Sequence, residues 1–486
     1  MTNVIAGTST VTLGAITTLR RFVEQQPVED SDTTDTSSEE VIREEPAVVT
    51  SNIVAGGLAD VSAESAATVS NTTVSGGLGA AAAAFSVAVN LIDTETKVVI
   101  GAGQAVNADD IRVRAFEETT ITDLVGAGAA AAGAFGGSVN YVDFNGGTTV
   151  EIGDGATLSA VNSLSVDALA DRTIDTQLGV ATVAAGSLSA VVSVINVDGS
   201  AGEGSSAAQA TIDQAQVALS EDQLANASGT GLIDATGANS SVAQNQTARR
   251  TTDVSTRLTP AAAGNAEGLR DVGVQIGASA RLISDGTLAI NALVNADISQ
   301  QVGLVTGSGV SVSASVGVVN LSSRVDVVVQ RLAQLEAVDG LTINAQTTTG
   351  TYDVNGDATD APDTAPAIGS LAQGDVASAV TAIAISAGAN IGAGASLVDL
   401  SSQARVDVLD GVQITAAGEG ARVDINATRA DRASANIVNI GAAALGSLGV
   451  TYTRVRNTGR AEAFIGRPET FDANGIAFAP ENVAAT

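Results

Sequence analysis

Two stretches decide the fold: VVIGAGQAVNADDIRVRA, Val98 to Ala115, and VEIGDGATLSAVNSLSVDA, Val150 to Ala168. Each opens on alternating β-branched residues, passes a Gly-x-Gly turn, and closes on an alternating run that ends in alanine. A third copy, VQIGASARLISDGTLAINA, spans Val274 to Ala292, and weaker copies run from Val325 to Ala345 and from Val406 to Ala427. The closing alanines Ala115 and Ala168 lie 53 residues apart, as do Ala292 and Ala345. Self-similarity at a fixed spacing marks a stacked-repeat architecture. Within each copy apolar and polar residues alternate with period two, as in Asp110-Ile111-Arg112-Val113-Arg114-Ala115, and Gly, Asn and Asp punctuate the runs. That pattern predicts short strands joined by tight turns.

Between the copies lies a second unit built of small residues. GLGAAAAAFSVAVN ends at Asn90, GAGAAAAGAFGGSVN at Asn140, VATVAAGSLSAVVSVIN at Asn196 and GSGVSVSASVGVVN at Asn320. The segment LSSRVD, Leu321 to Asp326, returns as LSSQARVD, Leu400 to Asp407. Composition agrees with a thin interior. The 486 residues are 45% hydrophobic but only 2% aromatic, with 52 glycines. A core without large side chains has to be narrow, as in stacked strands. The expected fold is therefore all-β, an elongated parallel β-helix-like solenoid, with tandem β-sandwiches as the competing architecture.

Three segments break the pattern. Glu24 to Pro46 is acidic and rich in Ser and Thr and reads as a linker or surface loop within an N-terminal region 1–74. Repeats occupy 75–198 and 272–466, with a tail at 467–486. Residues 199–271 read as an inserted projection holding a strand at Ala207 to Val217 and a short helix at Ser220 to Ala227. Residues 347–366 form an Asp-dense excursion. The run Gly76 to Ile92 is too rich in Ala and Gly for a lipid-facing helix and reads as a buried strand pair, so no transmembrane span is expected. The first residues lack the basic region and cleavage site of a signal peptide. Both ends fall in mid-pattern, at the strand-like Val11 to Leu13 and Ala461 to Gly466, so the expectation is a piece of something longer.

The GLGAAAAAFSVAVN and VEIGDGATLSAVNSLSVDA units resemble, over roughly residues 75–466, the β-strand-repeat regions of large bacterial adhesins. Filamentous-haemagglutinin-like exoproteins and autotransporter passengers are the families meant. The resemblance implies an extracellular or cell-surface location, in a Gram-negative bacterium, and an adhesive role. No secretion domain or host-binding motif accompanies the units.

Chemistry-bearing residues are few. His and Cys are absent, which removes Ser-His-Asp and Cys-His catalysis, disulfides, and His or thiolate metal sites. The string Asp353, Asn355, Asp357, Asp360, Asp363 opens like a calcium loop, with oxygen donors at alternating positions. It departs at Ala358, in the place of the turn glycine, and at Thr364, in the place of the bidentate Glu. Ca2+ is the one cofactor this suggests; a solvated turn is the plainer reading. Asn90, Asn140, Asn196 and Asn320 are expected at equivalent positions, forming a hydrogen-bonded structural ladder. Asp93, Asp143 and Asp198 follow them as exposed turn carboxylates; a glycosidase pair would need aromatic platforms that a chain without Trp scarcely offers. Gly76-Gly77 and Gly146-Gly147 lack the Lys of a phosphate loop, and Arg249-Arg250 is isolated among acids.

With a net charge of −31 and a single lysine, Lys97, nucleic acid is excluded as a partner. The function expected is a non-enzymatic extracellular shaft or fibre component. Its expected partners are copies of itself, neighbouring repeats of a longer chain, or surface and matrix polysaccharide or protein. End-to-end contacts bridged by divalent cations are the expected mode, because the charge opposes lateral clustering. The alternatives are a polysaccharide-active β-helix enzyme and a cation-binding surface scaffold.

Overall fold

The computed structural model describes residues 2–13, 16–27, 38–49, 52–197, 272–349 and 376–467. Among them every regular element is a strand. One sixteen-stranded sheet, parallel throughout, contains all but a two-stranded antiparallel ribbon. The protein is a β-solenoid, and the parallel ladder excludes tandem sandwiches.

Register defines the coil. Leu58 pairs with Asp110 and Ile100 with Ile152, 52 residues on; Asp110 pairs with Ser163 and Phe144 with Val197, 53 residues on. Six such coils stack, preceded by the strand Thr2–Leu13, which lies against Val89 to Ile100. Coil 1 runs through Asn52–Val54 and Leu58–Ile100, coil 2 through Ala105–Ile152, and coil 3 through Thr157–Val197 and Val272–Ile276. Coil 4 holds Arg281–Ser284 and Thr287–Val329. Coil 5 runs from Gln334–Ala337 to Ala389–Leu409, and coil 6 from Gln413–Ala416 to Gly446–Arg467.

Each coil is a flattened loop. In coil 2 a short base, Ala105 to Ala108, leads into an outgoing limb that reaches a tip near Ala132. A return limb then brings the chain back to Ile152. The limbs face one another: Ile111, Val113 and Ala115 pack with Val150 and Ile152, Ile121 with Val142 and Phe144, and Ala127 and Ala129 with Ala134. At about 3.3 Å per residue a limb is about 65 Å long, whereas six coils spaced about 4.8 Å apart rise only about 29 Å. The long dimension therefore lies in the plane of the coil. The tips stack closely: a Cβ on Gly309 would meet the Ala185 carbonyl oxygen at 2.4 Å, and one on Gly388 the Gly309 oxygen at 2.5 Å.

The decisive motif holds its register. Ala63, Ala115, Ala168, Ala292, Ala345 and Ala427 form one inward column. The Gly-x-Gly turn leads into the base, with a left-handed residue at equivalent places: Gly103, Gly155, Ser279, Leu332 and Gly411, φ between 56° and 76°. The fourth copy is displaced, however. Val274 pairs with Val327, not Val325, and Val327 with Val406. A two-residue slip leaves every side chain on its own face, so alternation in sequence does not reveal it.

The ladder of coils is interrupted in sequence at three places. Residues 14–51 stand where coil 1 has Gly101 to Gln104, and within them Ile16–Pro27 and Ser38–Val49 pair as the antiparallel ribbon. The ends of the acidic Glu24 to Pro46 segment thus lie in paired strands, where a linker or loop was expected. Residues 198–271 take the place of three residues of coil 2, and 350–376 of two of coil 4. The strand at Ala207 to Val217, the helix at Ser220 to Ala227, Arg249-Arg250 and the 467–486 tail beyond Arg467 lie outside the described residues.

Candidate functional site

Inside the coils, apolar and polar layers alternate along the limbs. Between the base core and the middle core sits a buried ion pair, with Arg172 Nη2 donating to Glu117 Oε2 at 3.3 Å and both side chains 1% exposed. Thr94 and Thr148 donate to the same carboxylate, and the guanidinium lies 4.8 Å from the Phe144 ring centroid. Between the middle core and the tip core runs a second polar layer. Asn90 and Asn71 donate to Asp123 at 2.7 and 3.0 Å. Gln300 donates to Ser193 Oγ at 2.9 Å and to the Val318 carbonyl at 3.2 Å, and accepts from Ser378 Oγ at 2.7 Å. Burial pushes the Asp123 carboxyl up from its usual range, opposed by the amides of Asn90, Asn71 and Asn140.

This layer stands where the asparagine ladder was expected, and its composition differs. Asn90 pairs in register with Val142, Asn140 with Ala88 and Ser193, and Asn196 with Asp143 and Asn320. Only Asn196 and Asn320 stack. The four end similar small-residue runs, but they recur 50 and 56 residues apart in a coil of 52 or 53. Asn90 and Asn140 consequently occupy columns two residues apart, although both face Asp123.

On the outward side of the strands, carboxylates are spaced by amides one coil away, with Asn196 and Asn295 themselves buried. Asn145 donates to Asp93 at 3.4 Å, Asn196 to Asp143 at 2.8 Å, Asn291 to Asp167 at 2.8 Å and Asn295 to Asp171 at 3.0 Å. Asp93 and Asp143 sit on strands, not in turns, and do not align with each other; Asp198 lies outside the described residues. Burial raises the carboxyls of Asp143 and Asp167 and the Tyr141 phenol, the last also facing Asp143. Asp110, by contrast, is lowered by hydrogen bonds from Ser163 and Asn162. Each arrangement places a neutral donor where a stacked carboxylate would oppose its neighbour.

Asp353, Asn355, Asp357, Asp360 and Asp363 lie outside the described residues. Among the described residues no group of three or more carboxylates is placed to hold a metal ion.

The most distinctive surface is one that sequence reasoning missed. In the distal half of the outgoing limb four outward columns cross all six coils. They read Thr72, Leu124, Gln177, Gln301, Ala379, Asn436; Val74, Gly126, Gly179, Gly303, Thr381, Val438; Gly76, Gly128, Ala181, Val305, Ile383, Ile440; and Leu78, Ala130, Val183, Gly307, Ile385, Ala442. None of these positions is charged. Val74, Leu78, Leu124, Val183, Val305, Ile385 and Ile440 are 47–88% exposed. Gly126, Gly179 and Gly303 form the floor of a shallow trough between them.

The return limb mirrors this face with bulkier side chains. Its outward columns include Phe135, Leu188, Val312, Ile391 and Leu448, then Val139, Val192, Val316 and Tyr452. Inside the same tip stand Ala82, Ala84, Ser189, Ser313 and Ser315, all buried. The expected tight interior is present, with Ala82 and Ala84 inward and Val87 outward. The distal half is thus small and partly polar within and aliphatic without. The signal available in sequence was the Val, Leu and Phe at alternate positions of the small-residue units. Reading it required knowing which alternate face points in.

No family model, curated protein or solved structure matches this chain.

Proposed function

We propose that this chain is a non-enzymatic structural and adhesive segment of an extracellular bacterial surface protein, one that works through the outer faces of a β-solenoid. The observation that carries the reading is the continuity of register across six coils despite three interruptions in sequence. A scaffold that keeps its ladder across such interruptions suits display and surface contact. The paired carboxylates and amides on the outside support the same reading, because they hold an acidic surface together without opposing like charges. The sequence resemblance to adhesin repeats points the same way and supplies the extracellular bacterial setting.

The test sets adhesion against turnover. Beads coated with the full chain should adhere to surfaces bearing matrix polysaccharide or protein more strongly than uncoated beads. The soluble chain should release no new reducing ends from a polysaccharide panel. Reducing ends that accumulate in proportion to the chain's concentration would replace this reading with the enzymatic one.

A further inference from the structure

The two distal faces are complementary to each other. The outgoing face is flat and floored by glycine: a Cβ on Gly179 would meet nothing within 4 Å, and the trough continues through Gly126 and Gly303. The return face carries ridges at the matching distance from the tip, with Phe85, Phe135, Val139, Leu188, Val192, Val312 and Val316 on adjacent coils. From these faces we infer that the partner of the distal half is a second copy of this chain, its return face seated on the outgoing face of the first. This inference rests on the structural reading above and names the partner for it.

Three observations single out that occupant. The first is charge. The chain carries −31, so a random approach of two copies is repulsive. The four outgoing columns contain no charged residue, and neither do the return columns between the tip and the buried column of Val89, Tyr141, Val194 and Val318. Two copies can meet across these faces without opposing carboxylates.

The second is area. Four alternating columns cover eight residues of strand, about 26 Å, and six coils rise about 29 Å. The product, about 750 Å² per copy, gives about 1,500 Å² in all, within the range of specific protein interfaces.

The third is the backbone. In coil 6, Gly446–Arg467 pairs with Ala389–Leu409 along one side only among the described residues. Such an edge tolerates a protein neighbour on the face of the sheet, with water still at the edge. Immersion in hydrocarbon would strand its amides and carbonyls, which disfavours a lipid occupant.

Because the two faces differ, the contact is heterologous. Each copy that docks leaves one free face of each kind, so the assembly stays open and grows by lateral addition. Growth is perpendicular to both faces, with sheets packed about 10 Å apart across each contact.

The test uses the full chain in calcium-free buffer, with mass followed by sedimentation and light scattering against concentration. The wild type should pass beyond dimer as concentration rises. Gly179→Glu places a carboxylate in open space on the outgoing face, and Ala314→Glu places one on the return face; Val450→Glu, at a position 58% exposed, is a second return-face variant. Each variant alone should need at least about tenfold higher concentration to associate, because one buried carboxylate is strongly unfavourable. An equimolar mixture of Gly179→Glu and Ala314→Glu should form dimers and stop there, since each supplies the face the other lacks. Circular dichroism melts show whether each variant is folded.

A wild type that remains monomeric at every concentration would overturn the inference and leave the adhesive reading standing. Return-face variants that dimerise as well as wild type would replace it with a symmetric contact through the outgoing face alone. Cosedimentation of the wild type with phosphatidylcholine vesicles, abolished by the face variants while its mass in buffer stays monomeric, would replace the second copy with lipid.

Discussion

Gly317 faces the interior opposite Gln300, and the pair offers a direct test of the polar layer. A Cβ at position 317 would lie 2.5 Å from Gln300 Oε1, 2.6 Å from Ser378 Oγ and 3.2 Å from Val380 Cγ2. Those oxygens cannot simply swing aside, because Gln300 is fully buried and tied to Ser193, Ser378 and the Val318 carbonyl. Gly317→Ala must therefore break one or two hydrogen bonds, at about 1 kcal/mol each, and strain the neighbours, for a total near 2–3 kcal/mol. Gln300→Ala loses all three bonds and opens a cavity, so about 3–5 kcal/mol is expected. In the double variant the new methyl enters space that the amide has vacated. Its cost should fall within about 1 kcal/mol of Gln300→Ala alone, a coupling of about 2 kcal/mol. Urea denaturation followed by far-ultraviolet circular dichroism measures the cycle, provided that the slopes of all four curves agree. Additivity to within about 0.5 kcal/mol would mean that Gly317 and Gln300 do not share this space, and the layer as described would be wrong.

Asp123 should make stability depend on pH in the direction opposite to an exposed carboxylate. Its folded pKa lies above the unfolded value, so the folded state binds the extra proton and stability rises as pH falls through the folded pKa. Melting midpoints from pH 7 down to pH 4 should show Asp123→Asn relatively most stable at neutral pH, with its advantage shrinking in acid; a constant difference would rule this out. Leu332 holds φ 61° where three of the equivalent turns have glycine, and its side chain is 63% exposed. Leu332→Gly should stabilise by about 0.5–1 kcal/mol, the relief of left-handed strain less the added entropy of the unfolded chain; a lower urea midpoint would contradict it. Asn196→Asp replaces a 2.8 Å donor with a second carboxylate against Asp143. It should cost about 1–2 kcal/mol near neutral pH and less in high salt; insensitivity to salt would show that the pair is not electrostatic.

The column of alanines ending at Ala115, Ala168, Ala292 and Ala345 was readable from the chain because it combines a fixed spacing with period-two alternation. The solenoid and the length of its coil follow from that column. The two errors of register share one cause. A shift of two residues preserves inside and outside, so neither Val325 against Val327 nor Asn140 against Asn90 can be placed by alternation. Their register is set by the whole ladder, through pairs far from the residues in question. The uncharged distal faces were hidden for a related reason. Val74, Ala181 and Ile385 belong to three coils far apart in sequence, and only the fold brings them onto one surface. The small interior at the tip looked like a core lacking large side chains; those side chains are present one position away, pointing outward.

The flattened coil has a consequence for how such a molecule changes size. Each coil consumes about 53 residues and advances the stack by one strand spacing, about 4.8 Å, while adding about 310 Å² to each broad side. Duplicating a coil therefore widens a plate far more than it lengthens a rod. Because every coil presents the same columns at the same distances from base and tip, an inserted copy finds matching neighbours above and below. Contact area, and with it avidity for whatever lies against the plate, can be tuned in whole-coil increments without redesigning a single residue.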